Sequence, residues 1–538
     1  MATVGLGRAA SSTWAASSAW AASSAWAAGT LLASLLISGS ALAARPTQGG
    51  LWAYSNDDEL AFYDEPSGRI RVHYSIAGPT QTLLADDDLD GTPDYVALVS
   101  GVALEALDHY EGLGFRPPLN EDDPLLSLGL LGGSPALDIY LVDFQGNADG
   151  LFSPDGCAAA PRHCAGWIGL ENDFIGYGYL SLEQAVTTVV PHELFHATQS
   201  AYDGQQPVWF SEGTAVWAQR SFTPDSLDFL AKCDAYLELI DRPLYAPPAG
   251  PVQSFAYGTA LFWWFVHARL GPGIDPELQL ASESLDGLEV DLIAEIGLRF
   301  SAQGDSWVAL WSAFSRANLA TGDRAGLVEG HDFGDQLAGI SASAAGPAID
   351  YNARFHPLAA TYYHLEHAGG AMAMSVDAGD PALHFSLHPV VGGAVDGQVE
   401  EALEMWVMDD AGTRELGDLP AGGYWLVAAL SDAAPMSVKA RLCLGPSSFV
   451  ADECDEGDEG ESGEEGETGA EGETGAESET DDEAGEDESG EGETGGDPSG
   501  VEPTPGCSCQ SSDEGAPLPL SLSLSLGVLI ALRRRRDR

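Results

Sequence analysis

The stretch TTVVPHELFHATQSAYD, residues 187–203, contains the five letters HELFH. On an α-helix His192 and His196 stand four residues apart, so both imidazoles project from one face. Two neutral ring nitrogens placed in this way reach one zinc ion at about 2.0–2.1 Å. Glu193 follows the first histidine and can approach a water beside the ion without ligating, which suits a general base. With 12 histidines among 538 residues, a random match has a probability on the order of one percent or less. HELFH therefore predicts a zinc site on a helix. Pro191 lacks the amide that would bond the Thr187 carbonyl. The helix is thus expected either to begin near Val189 or to kink in from an earlier turn.

A catalytic zinc needs a third protein ligand and an open fourth position. The pattern HExxHxxGxxH is not completed, because Gln199 and Tyr202 occupy its glycine and third-histidine places. Further on, WFSEGTAVWAQR (209–220) carries Glu212. Its WxxEGTAxW setting resembles the second motif of many bacterial HExxH peptidases. In the gluzincins a glutamate on the next helix completes the metal site, and the resemblance gives that role to Glu212. Asp203 is a competing carboxylate, and a helix N-terminal charge favoured by the dipole is the plain alternative for Glu212. Gluzincins also use a Tyr or His from a later helix beside the developing oxyanion. SFAYGTALFWW (254–264) resembles that helix, which makes Tyr257 the candidate, with a core tyrosine as the alternative. His267, on the same helix, reads as structural.

From about residue 69 to 270 the chain resembles a family of secreted metalloproteases found in myxobacteria and their relatives. The resemblance rests on DGTPDYV, GFRPP, DIYLVDF, HELFHATQSAYD and EGTAVW, in this order. It implies an α+β zincin-like catalytic domain, a mixed sheet plus active-site helices, acting on a protein or peptide substrate. Two rivals stay open: a surface binding or adhesion protein on a zincin scaffold without turnover, and a metallohydrolase acting on a non-peptide bond.

The formal net charge is −61, from 83 Asp and Glu against 22 Lys and Arg. That argues against nucleic acid and against anionic membrane surfaces as partners. Residues 452–500 contain no Lys, Arg or aromatic residue. Such a stretch cannot bury enough apolar surface to offset its ordering entropy, so 447–506 reads as an acidic disordered linker. A calcium-buffering or partner-binding tail is the sharper alternative.

Both ends carry targeting signals. GTLLASLLISGSALAA (29–44) is an apolar run closed by small residues, and 1–44 reads as a signal peptide with the mature chain starting near Arg45. At 507–538, Cys507 and Cys509 precede an apolar run from Leu518 to Leu532 and an Arg cluster. Acidic linker, Cys, apolar run and Arg cluster, in that order, resemble the C-terminal sorting tag of exported myxobacterial proteins. The resemblance implies recognition by export and sorting machinery, processing or lipidation near the Cys, and membrane association at the outer surface. The apolar run is barely long enough for a transmembrane helix.

Between these ends two folded regions are expected. Residues 45–345 mix strand patterns, as in GRIRVHYSI (68–76) and ALDIYLVDF (136–144), with helical ones at 94–114 and 255–271. Residues 350–446 consist of short alternating runs between Gly, Asp and Pro, and predict a small all-β sandwich. Its LPAGGYWLVAALS loosely resembles the pre-peptidase C-terminal domains of secreted bacterial proteases.

DDDLDGTPD (86–94) places Asp86, Asp88 and Asp90 at alternate positions before Gly91, with Thr92 and Asp94 following. Oxygen donors around a Gly turn suit a calcium ion, and an acidic turn capping the next helix is the plain alternative. Seven cysteines fit an oxidising compartment, and spacing permits small-loop disulfides for Cys157 with Cys164 and Cys443 with Cys454. Cys233 is left over and reads as a buried thiol.

Overall fold

The computed structural model describes residues 44–454, apart from 51, 160, 249–253, 284–288, 327–328, 394 and 433–435. The signal segment, the acidic stretch from 455 onward, and Cys507, Cys509 and the apolar run all lie outside the described residues. The chain is a mixed α/β protein with several sheets.

The first layer is a five-stranded sheet. It contains β1 (Glu59–Asp64), β2 (Ile70–Ala77), β3 (Leu137–Val142), β4 (Gly150–Cys157) and β5 (Cys164–Glu171), in the spatial order β1-β2-β3-β5-β4. β2, β3 and β5 run parallel, while β1 and β4 are antiparallel to their neighbours. A parallel centre must be covered, and β3 and β5 are accordingly buried along their whole length. One face is covered by α1 (Asp94–Gly112) and α2 (Leu182–Ser200), the helix that carries HELFH, and the other by a cluster that includes Trp52 and Tyr54.

Among the described residues seven further helices follow: α3 (Val208–Phe222), α4 (Leu230–Leu237), α5 (Ser254–Gly258), α6 (Ala260–Leu270), α7 (Ile274–Ser282), α8 (Glu289–Ala302) and α9 (Trp307–Leu319). The single helix expected over 255–271 is two, α5 and α6. They part only slightly at Thr259, which keeps helical dihedrals and whose hydroxyl, with a single proton to donate, lies 2.7 Å from both the Ala256 and the Trp209 carbonyl.

The second β region packs two sheets face to face. One holds β6 (Ala344–Gly346), β8 (Ala359–His367), β10 (Leu383–Pro389), β11 (Glu404–Val407) and β13 (Gly422–Leu430). The other holds β7 (Ile349–Phe355), β9 (Gly370–Val376), β12 (Gly412–Leu419) and β14 (Val438–Pro446). Inward residues of both, among them Phe355, Met374, Phe385 and Leu442, form one apolar cluster.

The boundaries expected for this region shift at both ends. β6 pairs with β8 before residue 350. Past 446, residues 447–454 are not linker: α10 (Ser447–Glu453) packs Val450 under the sheet, and Cys454 forms a disulfide with Cys443. The outer face of the β13 sheet is covered at its centre, while Met405 and Val407 of β11 stay exposed. Trp425, Val427 and Tyr362 join the main helical core, and the Tyr362 hydroxyl donates to the Ser315 carbonyl at 2.9 Å.

Arg45, where the mature chain was expected to begin, is fully buried. Its guanidinium binds Asp155 through two nitrogens at 3.0 and 2.6 Å, Asp138 at 2.6 Å, and Glu121. Burial disfavours the charge, but these carboxylates outweigh it and hold the group above its ordinary value.

Candidate metal centre

α2 starts at an N-cap, where the Ser181 hydroxyl accepts from the Gln184 amide. It runs unbroken to Ser200 with Pro191 inside, so the helix starts seven residues before Val189. Tertiary contacts hold this turn: the Tyr110 hydroxyl donates to the Pro191 carbonyl at 2.9 Å, and Val189, Val190 and Leu194 are fully buried. The helix is not strongly amphipathic because nearly every side is covered.

α3 crosses α2 and brings Glu212 to the two histidines. Its close approach to α5 and α6 depends on Gly213. A side chain there would meet Thr259 Oγ1 at 2.3 Å and Trp263 Nε1 at 2.6 Å. The EGT spelling is thus a packing requirement as well as a chemical one.

Three donor atoms converge. His192 Nε2 and His196 Nε2 are 3.2 Å apart, and each lies 3.4 Å from Glu212 Oε2. Bonds of about 2.0–2.1 Å to a tetrahedral ion place its donors about 3.3–3.4 Å from one another. The triangle therefore matches three corners of a zinc tetrahedron. Glu212 Oε2 is buried and accepts no well-directed hydrogen bond among the described residues. A buried carboxylate oxygen in that condition is costly without a cation. The residues fit a zinc ion.

The electrostatics agree. Burial alone would raise the Glu212 carboxyl, but the two imidazoles outweigh it and hold the group well below the carboxylate range. Burial would likewise lower His196, yet Glu212 and Glu193 hold the imidazole above its ordinary value. The pair occupies the place of a cation with a proton, and a metal ion must displace that proton to bind.

Glu193 is fully buried and lies outside the donor triangle. Strand β4 sits directly over it: a Cβ on Gly150 would lie 2.8 Å from Glu193 Cγ and 2.5 Å from Val189 Cγ1. Gly150→Val is expected to displace the Glu193 carboxylate. A lower melting temperature of the variant checks this, and an unchanged one would mean that the strand yields at Gly150.

Tyr257 is buried on α5, with its ring centroid 5.7 Å from that of His192. Lys232 Nζ stands 4.9 Å from the centre of the same ring. Asp203, the competing ligand, is not in the triangle, and its carboxylate accepts from the Gln205 amide at 3.0 Å. His267 pairs with Asp275 at 2.6 Å, away from the three donors. Cys233 is buried and apolar surroundings push its thiol up.

In the acidic loop the carboxylates of Asp86, Asp88 and Asp94 lie together. Asp90 does not join them, because its Oδ1 accepts from the Thr92 amide at 2.7 Å. The loop's own amides also fill its carboxylates, with Gly91 donating to Asp86 and Asp87 donating to Asp94. Cys157 and Cys164 form a disulfide where β4 meets β5.

One site residue was not singled out from sequence. Gln199, nearly fully buried, accepts at Oε1 across 2.7 Å from His196 Nδ1, and its Nε2 donates to Ser211 O and Thr214 Oγ1 on α3. Its place three residues after His196, on the same helix face, was the available signal.

No family model matches the chain, and no curated protein does. Among solved structures, a periplasmic inhibitor of g-type lysozyme, PliG from Aeromonas hydrophila, is similar at 21% identity over 19% of this chain and 94% of its own, with a TM-score of 0.15. That likeness is too slight to carry an argument about fold or activity. The two disulfides suit a chain that folds outside the reducing cytoplasm. Among the described residues no helix is long and apolar enough to cross a membrane.

Proposed function

We propose that the chain is an exported zinc-dependent hydrolase of the gluzincin kind, acting on peptide bonds. The observation that carries the reading is the donor triangle of His192, His196 and Glu212, with sides of 3.2, 3.4 and 3.4 Å. A bound zinc would polarise the scissile carbonyl and make water acidic enough to attack at neutral pH. Glu193, beside the triangle but outside it, takes the proton from that water and passes it to the leaving amine. Tyr257, against His192, is placed to assist near the carbonyl oxygen. The order of the sheet supports a peptide in particular. Among the described residues β4 is an edge strand that pairs with β5, and its Gly150 stands over Glu193. An extended peptide adding to that edge would run past the general base.

Elemental analysis of the purified chain after dialysis tests the reading first. About one zinc per chain is expected, with Glu212→Ala lowering retention at least tenfold. Zinc affinity should also fall as pH drops from 8 to 6, because the raised His196 binds a proton that the metal must displace. A chain that takes up no zinc even from added salt would leave the surface-binding reading in its place.

A further inference from the structure

We propose that Gln199 is the positioning residue of the metal centre: it fixes which nitrogen of His196 faces the ion and ties that histidine to the helix carrying Glu212. The inference rests on the zinc reading and goes beyond it. The argument begins at an atom with no freedom. The Ser211 carbonyl can only accept, and it lies 2.7 Å from one end of the Gln199 amide. That end must be the NH2 group. The Thr214 hydroxyl agrees, since it donates to the Phe210 carbonyl at 2.7 Å and so accepts from Gln199 at 2.8 Å. The other end of the amide is then the carbonyl oxygen, which can only accept. His196 Nδ1, 2.7 Å away, must carry its proton toward it. A neutral imidazole protonated at Nδ1 has its lone pair on Nε2, the nitrogen in the donor triangle.

The same amide does a second job. Ser211 and Thr214 flank Glu212 on α3, so Gln199 joins the helix of one ligand to the helix of another. Thr214 Oγ1 also accepts from Gln279 on α7, and Gln206 donates to Gln279 at 2.6 Å. The positions of His196 and Glu212 are thereby set by one buried polar chain. His192 has no such support, for its Nδ1 is buried without a hydrogen-bond partner among the described residues. Orientation of the site therefore falls on Gln199.

Two variants separate this role from simple packing. Gln199→Leu removes both contacts. Gln199→Glu keeps an acceptor for His196 but loses the donor to Ser211. Zinc affinity, measured on the full chain by competition with a chelator, is expected to fall about 10- to 100-fold in Gln199→Leu. Gln199→Glu should recover most of it, although its metal-free form should melt no higher than that of Gln199→Leu. Affinity within about twofold of the parent in Gln199→Leu would overturn the proposal, as would a Gln199→Glu variant no better than Gln199→Leu. If the parent chain binds no zinc, the functional reading fails on its own, and the His196 Nδ1 proton in the NMR spectrum decides this one. A slowly exchanging downfield signal lost in Gln199→Leu upholds the positioning of His196, and its absence from the parent overturns it.

Discussion

Replacing Glu193 with glutamine should lower kcat/KM on a labelled casein by on the order of 10²–10⁴-fold, the range spanned by general-base catalysis, while zinc content stays at the parent level. The substitution is nearly isosteric, which matters at a fully buried position pressed against Gly150. An amide cannot take the proton of the attacking water, so the base is removed with the shape retained. Metal retention should not change, because Glu193 is outside the triangle formed by His192, His196 and Glu212. The contrast with Glu212→Ala is the useful part. One variant is expected to be inactive and loaded, the other inactive and empty. A Glu193→Gln chain that still cleaves casein at the parent rate would remove Glu193 from the mechanism.

The second large effect is on stability. Arg45→Met should destabilise the fold by about 3–5 kcal/mol, the usual result of removing one partner from a buried ion pair. Asp138 and Asp155 are then left charged inside the protein, with Glu121 beside them. Asp155 is already raised by burial, which Arg45 only partly offsets. Adding Asp155→Asn to Arg45→Met should therefore recover part of the loss, which denaturant midpoints of the single and double variants will measure. The pH dependence has a definite sign. Burial already holds Asp155 above its ordinary value and losing Arg45 raises it further, so between its unfolded and folded values the folded state binds more protons. Stability of Arg45→Met should then rise as pH falls from about 7 toward 5, which narrows its deficit. A deficit that is constant over this window would mean that lost packing, not charge, causes it.

Much of this was legible from residue order. The β-formers of ALDIYLVDF marked β3, which is buried on both faces, and the helical spacing over 94–114 marked α1, which buries one side against the core. HELFH gave two donor atoms on one helix face, for helical geometry alone brings residues four apart together. Elsewhere local signals decided less. Pro191 left open a helix start near Val189 or an earlier turn leading in, and the helix begins earlier, at Leu182, with Val189, Val190 and Leu194 fully buried around the proline. The 446 boundary placed α10 and Cys454 in a linker, since acidic composition outweighs a short buried contact in any local reading.

The sequence by itself determined the chemistry available: two histidines and a glutamate on one helix, a second glutamate beside a glycine, and cysteines at spacings that can close. These are properties of neighbours along the chain, and helical or strand periodicity fixes where such neighbours point. The tertiary structure alone decided which carboxylate meets the histidines, Glu212 and not Asp203, and that Gln199 holds one of them in place. It also decided that Arg45 ends among three acids from distant segments. Such meetings depend on how helices cross and strands stack, and that is set by burying the whole core at once, which no short window of sequence contains.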